Sequence, residues 1–344
     1  MNVLGIESSC DETSVAIISD GVVKANLIAS QDFHFKYGGV VPELSSRAHL
    51  QIISPLLKQA LEKAELDLHD VDLITATAGP GLIGALLIGL TFAKGLAYSL
   101  RKPFVPVNHI EGHMFSGFLK KEEPEFPVLC LVVSGGHTLL LLINGYTDIK
   151  LLGTTIDDAA GEAFDKVSKM IGLGYPGGPK IQKIALQGDE KKIKFPVAVC
   201  KNKYDFSFSG LKTSVLRYMQ ENYSDLKNVP ENDIPDIAAS FQYALVKALS
   251  RKVKKALEEY DVKSVTIAGG VAANSRLVDE LKVIVDKAGK KIIVPDMEFC
   301  GDNAAMIAYR GLKVYESGKR FSLEYNAFPG FNFADYGRKS KRGR

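Results

Sequence analysis

The chain has 344 residues, of which 46% are hydrophobic and 24% are charged, a balance that is typical of a folded globular protein and excludes disorder over most of its length. A chain of this length is expected to form two domains. The net charge of +3 is too small to predict general nucleic-acid affinity, so a polyanion site would need local clustering. Residues 337–344 form one basic cluster, either a phosphate-binding tail or a solvated terminus.

The cysteines and the N-terminal segment bear on the compartment. The four cysteines lie far apart and none forms a C-x-x-C pair, which argues against a disulfide framework and fits a reducing compartment. The first residues lack a basic segment and carry Glu7 where a signal peptide would be apolar. The most apolar stretch, Leu82–Ala93, is shorter than the roughly 20 residues that cross a bilayer. We therefore expect a cytoplasmic protein that spans no membrane, with this stretch forming a buried helix.

The first half of the chain predicts three strands followed by alternating helices and strands. In chain order, these are strands at 2–7, 15–19 and 21–30, a helix at 42–64, a strand at 72–78, a helix at 82–100, a strand at 103–107 and a helix at 109–119. Pro55 lies inside the first helix and predicts a kink or a break there.

The second half predicts a similar succession with one interruption. In chain order, these are strands at 128–133, 139–144 and 148–153, helices at 159–171 and 236–260, a strand at 264–270, a helix at 274–288, a strand at 291–295 and a helix at 303–316. A Gly- and Lys-rich segment near 173–235 is expected to be an irregular insertion.

Each half therefore predicts a β-β-β-α-β-α-β-α unit. This duplication resembles the plan shared by actin, sugar kinases and the heat-shock chaperone ATPases (the ASKHA fold). We predict an α/β fold of two lobes, 1–125 and 126–344, with the last helix packing back toward the first lobe. In that fold a nucleotide occupies the interdomain cleft, with its phosphates near the two hairpin turns. Here those turns would be Ser8–Thr13 and Ser134–Thr138.

The strongest local motif is NHIEGHM at 108–114. Asn108 is a good N-cap, so His109 and His113 are expected on one face of one helix, at the spacing that lets two imidazoles share a metal ion. The alternative is a pair of structural histidines. A carboxylate should complete the site, and Asp302 is the candidate, although an Asp at the start of a helix is more often an N-cap. Mixed histidine and carboxylate ligands suit iron or zinc better than magnesium or calcium.

A metalloprotease is the rival interpretation of the histidine pair. In the H-E-x-x-H helix the glutamate directly follows the first histidine and acts as the general base. Glu111 instead lies two residues after His109, roughly 200° round the helix, and should face away from the ligands. The motif therefore lacks the base that a peptidase needs.

Glycine-rich and acidic segments supply further candidates. Segments 132–138, 172–179 and 267–277 present open backbone amides to a phosphate or carboxylate, although glycine most often serves turn geometry and no P-loop pattern occurs. Asp11 and Glu12 could assist proton transfer, and ordinary turn residues are the alternative. Asp165 could contact a ligand hydroxyl or lie on a solvated helix face.

A series of motifs carries a specific resemblance. In order from Gly5 to Met306 they are GIESSCDETS, KYGGVVPELSSRAH, TAGPGLIGALLIG, NHIEGH, LVVSGGHT, GEAFDK, GYPGGP, FSFSGLKT, AGGVAANSRL and GDNAAM. Over nearly its whole length the chain resembles the bacterial tRNA threonylcarbamoyladenosine transferase family, TsaD. Members of this family were formerly regarded as O-sialoglycoprotein endopeptidases, an error that the histidine pair invites.

The resemblance implies transfer of threonylcarbamoyl from threonylcarbamoyl-adenylate to the exocyclic amine of the adenosine beside the anticodon, in tRNAs that read codons starting with A, with release of AMP. It implies one divalent metal ion, usually iron, on His109, His113 and Asp302. The implied substrate contacts are Val132, Val133, Ser134, Gly135, Gly136, Asp165, Gly178 and Asn274. The implied partners are a catalytically inert TsaB-like paralogue, a TsaE-like ATPase and a separate enzyme that makes the adenylate.

Other aspects of the activity stay open at this level. The lysines of 191–203, Lys212 and the basic tail are candidate tRNA phosphate contacts. The general base could be Asp11, a water on the metal or a phosphate oxygen. A kinase of the same fold should need magnesium carboxylates rather than a histidine pair, and a non-catalytic ATP-binding scaffold should have lost the metal ligands that this chain keeps.

Overall fold

A computed structural model of the protein describes residues 1–31, 33–34, 40–119, 123–225, 229–331 and 336. The chain divides into two compact units. Unit 1 comprises Met1–Pro124, Tyr146–Asp148 and the described residues from Pro295 onward, whereas unit 2 comprises Glu125–Gly145 and Ile149–Val294. The described residues from Pro295 onward, which the sequence division places in the second lobe, therefore cluster with the N-terminal residues. The basic tail and residues 36–39 of the KYGGVV motif lie outside the described residues.

Apart from two additional helices, α5 and α6, the elements follow the order that the sequence predicts. They are β1 (Asn2–Glu7), β2 (Glu12–Ser19), β3 (Val22–Ser30), α1 (Pro42–Ala64), β4 (Leu73–Gly79), α2 (Ile83–Leu100), β5 (Phe104–Asn108), α3 (His109–Ser116), β6 (Val128–Val133), β7 (Thr138–Gly145), β8 (Asp148–Thr154), α4 (Ala160–Met170), α5 (Gly177–Ala185), α6 (Ser209–Asn222), α7 (Ile234–Glu259), β9 (Ser264–Ala268), α8 (Ser275–Lys287), β10 (Lys291–Ile293) and α9 (Ala304–Glu316). Each predicted helix and strand has a counterpart whose ends differ by at most a few residues.

The prediction of an irregular segment near 173–235 is wrong, because α5 and α6 lie within it. α5 begins with Gly-Gly-Pro, a sequence that is typical of a loop and does not predict a helix, although proline is tolerated in a first helical turn. In α6 the buried residues Leu211, Val215 and Met219 repeat every four positions, which is the helical signal that the sequence carries.

Of the kink or break predicted at Pro55, the break does not occur, because α1 runs from Pro42 to Ala64 as one helix. Proline removes one helical hydrogen bond, but the buried residues Ile53, Leu57 and Ala60 on either side of it pack into the core of unit 1. Most helical stability in a folded protein comes from such packing, which here outweighs the lost bond.

The sheet of unit 1 has the strand order β3-β2-β1-β4-β5, with β1 antiparallel to β2 and parallel to β4. Successive side chains of a strand point to opposite faces of the sheet. Leu4 and Ile6 of β1 pack into the core cluster that includes Ile53 of α1 and Leu90 of α2, whereas Gly5 lies against α9. Helices therefore cover both faces of this sheet, and every residue of β4 is buried.

The sheet of unit 2 repeats this topology. Its order is β10-β9-β6-β7-β8, with β6 antiparallel to β7 and parallel to β9. In both sheets an antiparallel meander of three strands is extended by two parallel strands next to the first. The duplicated α/β plan predicted from the order of elements is therefore confirmed.

Among the described residues, α2 is the helix that is long and apolar enough to cross a membrane by length and composition, a test that a core helix also passes. Its residues Leu86 and Leu90 are buried, whereas Ile83 and Leu87 are 47% and 48% exposed. The prediction of a buried helix is therefore confirmed for one face of α2 only.

Gly5 is expected to tolerate no side chain. A Cβ at this position would lie 2.3 Å from the Ala304 carbonyl oxygen and 2.9 Å from Ala308 Cβ. Overpacking of this kind costs about 1–3 kcal/mol, so Gly5→Ala should lower the free energy of unfolding by about that amount. Gly95→Ala is the control, since this exposed glycine of α2 has no described atom within 4 Å of its Cβ position, and it should raise stability by about 1 kcal/mol. Denaturant unfolding followed by circular dichroism measures both, and a Gly5→Ala midpoint equal to that of the wild type would contradict the prediction.

Candidate metal centre and ligand-binding turns

The start of α3 places two histidines at one end of the sheet of unit 1. β5 ends at Asn108 and α3 begins at His109. The Asn108 side chain accepts hydrogen bonds from the backbone N–H groups of Ile110 (2.9 Å) and Glu111 (3.3 Å), which confirms it as the N-cap. His109 and His113 are both buried, and their ring centroids lie 4.7 Å apart. The cap thus fixes where the helix begins and which face carries the histidines.

Asp302 joins the histidine pair from the segment that precedes α9. Its Oδ1 lies 3.0 Å from His113 Nε2 and 3.5 Å from His109 Nε2. The three ligand atoms all lie within 4.8 Å of one another. The alternative role for Asp302, capping α9, belongs instead to Asn303, whose side chain accepts from the N–H of Met306 at 3.0 Å. The carboxylate of Asp302 therefore faces the two imidazoles.

The donor set could hold a single metal ion. Two imidazole nitrogens and a carboxylate oxygen suit iron(II) and zinc alike. The Nε2 atoms of both histidines converge on Asp302, whereas His109 Nδ1 lies 3.0 Å from Glu7 Oε2 and 3.2 Å from Ser9 Oγ. A metal-binding histidine commonly donates its second ring N–H to a carboxylate, which fixes the tautomer and the ring orientation. His109 has this arrangement.

Glu7 supports His109 from the end of β1, a role that no motif indicates. It is fully buried, its Oε1 accepts from the Ser9 N–H (2.5 Å), and its Oε2 accepts from the Thr77 hydroxyl (2.5 Å). Burial would raise the pKa of Glu7, but the charge and hydrogen bond of His109 outweigh it, so the pKa is lowered and the carboxylate is ionised. The only sequence signal is an acidic residue that ends an otherwise apolar strand.

Carboxylates surround the imidazoles and give the site a negative potential. Burial would lower the pKa of His109, but the charges of Asp302 and Glu7 raise it to about 9. Glu12 opens β2, and its burial together with the charges of Asp302 and Asp11 raises its pKa to about 9. Without a metal, a histidine and a carboxyl group therefore retain protons at neutral pH, and a bound cation would relieve the same excess of negative charge.

Glu111 faces away from the histidine pair, as its place on the helix predicts. Its Oε2 lies 2.6 Å from Arg310 Nη2 on α9. Because its carboxylate is engaged there, Glu111 cannot act as a general base beside the ligands. Among the described residues, Glu111 therefore does not supply the base of an H-E-x-x-H peptidase helix.

The predicted ligand-binding residues of unit 2 begin at the end of β6. Val132 and Val133 have fully buried side chains, so only their backbone could contact a ligand. Gly135 and Gly136 follow in an exposed turn, with no described atom within 4 Å of a Cβ at either position. Gly269 lies beside this turn with φ +87°, and a Cβ there would be 2.5 Å from the Val133 carbonyl oxygen. The two Gly-rich segments thus meet at one edge of the sheet of unit 2.

Ser134 and Asp165 stabilise the backbone near this edge. Ser134 Oγ accepts from the N–H of His137 at 3.1 Å and helps to close the turn between β6 and β7. Asp165 Oδ1 accepts from the N–H of Gly177 at the start of α5 (2.7 Å), and burial raises the pKa of this carboxyl. Gly178 is the next residue, and the space in front of it is open among the described atoms.

Asn274 is committed to contacts within unit 2. Its side-chain oxygen caps α8 by accepting from the Leu277 N–H (3.0 Å), and its amide donates to Gln242 Oε1 (2.9 Å). The side chain is buried. A ligand could therefore use the remaining amide hydrogen, the second lone pair of the side-chain oxygen or the nearby backbone.

Comparison with known proteins gives consistent matches over the chain. The family model described as TsaD, tRNA N6-adenosine threonylcarbamoyltransferase, matches residues 22–309. A tRNA N6-adenosine threonylcarbamoyltransferase of Thermosipho africanus is 51% identical over 331 residues, covering 96% of this chain and 99% of its own. One of Symbiobacterium thermophilum is 49% identical over 332 residues, covering 95% and 96%.

Solved structures support the duplicated fold. HypF of T. kodakarensis matches with a TM-score of 0.62 at 18% identity, over 92% of this chain and 48% of the HypF chain. The activator of the 2-hydroxyisocaproyl-CoA dehydratase from Clostridium difficile, with bound ADPNP, matches with a TM-score of 0.52 at 17% identity, over 94% and 100%. At such low identity these matches bear on the fold alone. The family model and the relatives of about 50% identity show that the chain belongs to the tRNA N6-adenosine threonylcarbamoyltransferase family, TsaD.

Proposed function

We propose that this protein transfers the threonylcarbamoyl group from threonylcarbamoyl-adenylate to the exocyclic amine of the adenosine beside the anticodon, in tRNAs that read codons starting with A. Membership of the family supports the transferase activity and the tRNA substrate. The observation that carries the metal-dependent form of the proposal is the convergence of His109, His113 and Asp302 within unit 1.

The reaction replaces one acyl bond by another. The amine nitrogen bonds to the carbamoyl carbon, the bond from that carbon to the phosphate oxygen breaks, AMP leaves, and the amine loses a proton. Iron(II), or zinc as the alternative, would supply Lewis acidity toward the carbonyl or a hold on the threonyl part when bound. Glu7 keeps His109 oriented with Nε2 toward that position. The exocyclic amine is a poor nucleophile, so positioning supplies much of the rate.

We assign the handling of the amine proton to Asp11 and Glu12 at the start of β2. The raised pKa of Glu12, caused by burial and by the charges of Asp302 and Asp11, keeps its carboxyl protonated at neutral pH in the metal-free protein. A protonated carboxyl cannot accept a proton. We therefore take Asp11 as the candidate acceptor, and Glu12 as a hydrogen-bond donor to substrate as long as no bound cation lowers the pKa of Glu12.

We assign adenylate binding to the turn Val132–Gly136 of unit 2, together with Asp165, Gly178 and Asn274. The open space at Gly135, Gly136 and Gly178 supports close approach of a ligand to the backbone amides. The half-buried carboxyl of Asp165 can accept a hydrogen bond from a ligand hydroxyl through the oxygen that Gly177 does not use. A non-catalytic ATP-binding scaffold would need the same turn, but it would have no use for the donor set of unit 1.

We propose that tRNA phosphates contact lysines between β8 and α7. Lys191, Lys194 and Lys201 are exposed, and their ammonium groups have no partner among the described residues. Lys192 instead pairs with Asp236, Lys203 with Glu259, and Lys212 with Asp158. Unpaired cations are the better phosphate contacts, because a paired lysine must first leave its carboxylate.

Partners and compartment complete the proposal. A TsaB-like paralogue, a TsaE-like ATPase and an enzyme that supplies the adenylate are the partners that family membership suggests. A tRNA-modifying enzyme with widely spaced cysteines, none in a disulfide among the described residues, fits the cytoplasm.

His109→Ala and His113→Ala should each abolish product formation, because each removes a metal ligand. The expected loss is roughly 100-fold or more, since loss of outer-sphere support alone costs about 10–100-fold. His69→Ala is the control, because His69 is exposed in the turn Leu68–Asp70, and it should keep full activity. Nucleoside mass spectrometry is applied to unmodified tRNA supplied with the protein, the paralogue, the ATPase and preformed threonylcarbamoyl-adenylate. Failure of folded, metal-loaded wild type to form product would overturn the transferase interpretation and favour the scaffold.

Metal binding should release at least one proton at pH 7.5. The pKa of His109 is about 9 in the metal-free protein, so its ring must lose a proton before it binds a metal, and affinity should rise with pH up to about 9. Calorimetric titration with zinc in two buffers of different ionisation enthalpy measures the release. Glu7→Gln removes a charge that raises this pKa and should release fewer protons. Identical heats in the two buffers for the wild type would contradict the prediction.

Lys194→Ala and Lys201→Ala should each weaken tRNA binding several-fold and reduce the slope of log affinity against log salt by about 1. Lys287→Ala is the control, because Lys287 is an exposed lysine at the end of α8, distant in sequence from this segment. Filter binding of tRNA over a salt series measures both quantities. Equal effects of all three substitutions would indicate that the segment makes no specific contact.

A further inference from the structure

Of the three candidate metal ligands, His109 and His113 lie on α3, and Asp302 lies two residues before the start of α9. On the side of α3 away from the ligands, four side chains join these helices: Glu111, Phe115, Arg310 and Tyr336, here called the Glu111 cluster. Glu111 is the acidic residue of the NHIEGHM motif, and the proposed transfer chemistry gives it no role. It nevertheless makes contacts with both oxygens of its carboxylate.

The contacts of the Glu111 cluster are directional. Arg310 Nε donates to Glu111 Oε2 at 2.8 Å, and Arg310 Nη2 lies 2.6 Å from the same oxygen. The hydroxyl of Tyr336 donates to Glu111 Oε1 at 2.7 Å. The guanidinium of Arg310 lies over the Phe115 ring, 5.1 Å from its centroid. Glu111 on α3 therefore contacts both Arg310 of α9 and Tyr336.

The guanidinium of Arg310 depends on this carboxylate. The Arg310 side chain is 4% exposed, and its Nη1 is buried with no hydrogen-bond partner among the described residues. The carboxylate of Glu111 is its one ion-pair partner among those residues. A buried charge is tolerated only with a well-placed counter-charge, so Glu111 is needed to keep Arg310 in place.

The backbone contact between the helices leaves little tolerance. A Cβ at Gly112 would lie 2.9 Å from Ile307 Cδ1 and 3.2 Å from Met306 Cγ, so α3 and α9 already touch at this point. α3 has 8 residues, and so short a helix is not stable without tertiary contacts. Gly112 sets how close the helices approach, whereas the ion pair of Glu111 opposes sliding and rotation.

We propose that Glu111 is a positioning residue of the metal centre, which holds α3 against α9 so that His109 and His113 meet Asp302. The proposal rests on the metal centre of the proposed function. Metal–ligand distances tolerate deviations of only about 0.2 Å, so a small slip of α3 separates the histidines from the carboxylate. Glu111 acts through the helix and does not touch the ligand atoms, whose contacts lie on the opposite face.

The test uses cobalt(II) as the probe, because its absorption spectrum reports coordination geometry and its titration reports affinity without any turnover. Glu111→Gln keeps the size of the side chain and removes its charge. It should lower cobalt affinity about 10–100-fold, the usual effect of losing outer-sphere support, and change the visible spectrum. The matched control is Glu190→Gln, which breaks the Glu190–Arg276 ion pair of unit 2 and should leave affinity and spectrum unchanged.

Two further variants separate positioning from folding. The double variant Glu111→Gln/Arg310→Met removes both charges. It should be more stable than Glu111→Gln, because Arg310 is no longer left as a buried charge without a partner. Cobalt affinity should nevertheless stay low, because no directional contact remains. Tyr336→Phe removes one hydrogen bond to Glu111 and retains the ring, which stacks on Phe331 at 4.9 Å. It should lower affinity by about 2–10-fold.

The outcomes distinguish this role from the proposed function. Wild-type affinity in the folded Glu111→Gln protein, or in the double variant, would overturn the positioning role and leave the metal centre intact. A lower melting temperature with unchanged affinity and spectrum would show a purely structural ion pair and would also overturn it. Absence of cobalt binding by the wild type would overturn the metal centre and the positioning role together. The expected result is a reduced cobalt affinity in folded Glu111→Gln and in the folded double variant, with the affinity of Glu190→Gln equal to that of the wild type.

Discussion

The architecture of the candidate metal centre follows from one buried carboxylate, that of Glu7. Glu7 ends β1 with no exposed surface, and an ionised group in that place must be paired and fully hydrogen-bonded. Its partners come from three neighbouring strands of the sheet: the Ser9 N–H after β1, the Thr77 hydroxyl of β4 and the His109 ring after β5. Satisfying Glu7 therefore brings the carboxyl ends of three parallel-running strands to one point. His109 presents its second nitrogen to the ligand position because its first is held by Glu7.

The same carboxylate shapes the electrostatics of the site. Glu7 and Asp302 lie beside the imidazole of His109 and their charges raise its pKa, whereas burial and the charges of Asp302 and Asp11 raise the pKa of Glu12. In the metal-free protein this excess of negative charge is relieved by protons. A divalent cation bound there would supply more charge at the same place and would displace the proton from His109. Proton and metal would then compete for one position, and the affinity of the site would depend on pH.

Local sequence predicts the local parts of this arrangement well. The i, i+4 spacing and the N-cap Asn108 are enough to place His109 and His113 on one helix face, because both depend only on helical geometry. The position of Glu111 on the opposite face follows from the same geometry. The duplicated topology is equally readable, since it depends on the order of apolar segments.

Contacts between distant segments are not predictable in this way. The residues alone leave two roles open for Asp302, a ligand beside the histidines or the N-cap of α9. The packing of α9 in unit 1 decides between them, because Asn303 caps the helix and Asp302 lies beside His113. The support of His109 by Glu7 and of Glu111 by Arg310 leaves no periodic signal, because each pair is 102 or 199 residues apart in sequence. Helix α5 was hidden for a different reason, since glycine and proline in its first turn are typical of a loop.

The position of Asp302 depends on two glycines that are not its neighbours in sequence. α9 can lie close to the sheet because Gly5 leaves room for the Ala304 carbonyl, and because Gly311 leaves room for the Thr75 side chain, which would be 2.4 Å from a Cβ there. A larger residue at either position would push α9 away from β1 or β4. Asp302 precedes α9 by two residues and would move with it. The distance between the carboxylate and the two imidazoles is therefore set by backbone packing across the sheet as much as by the ligands themselves.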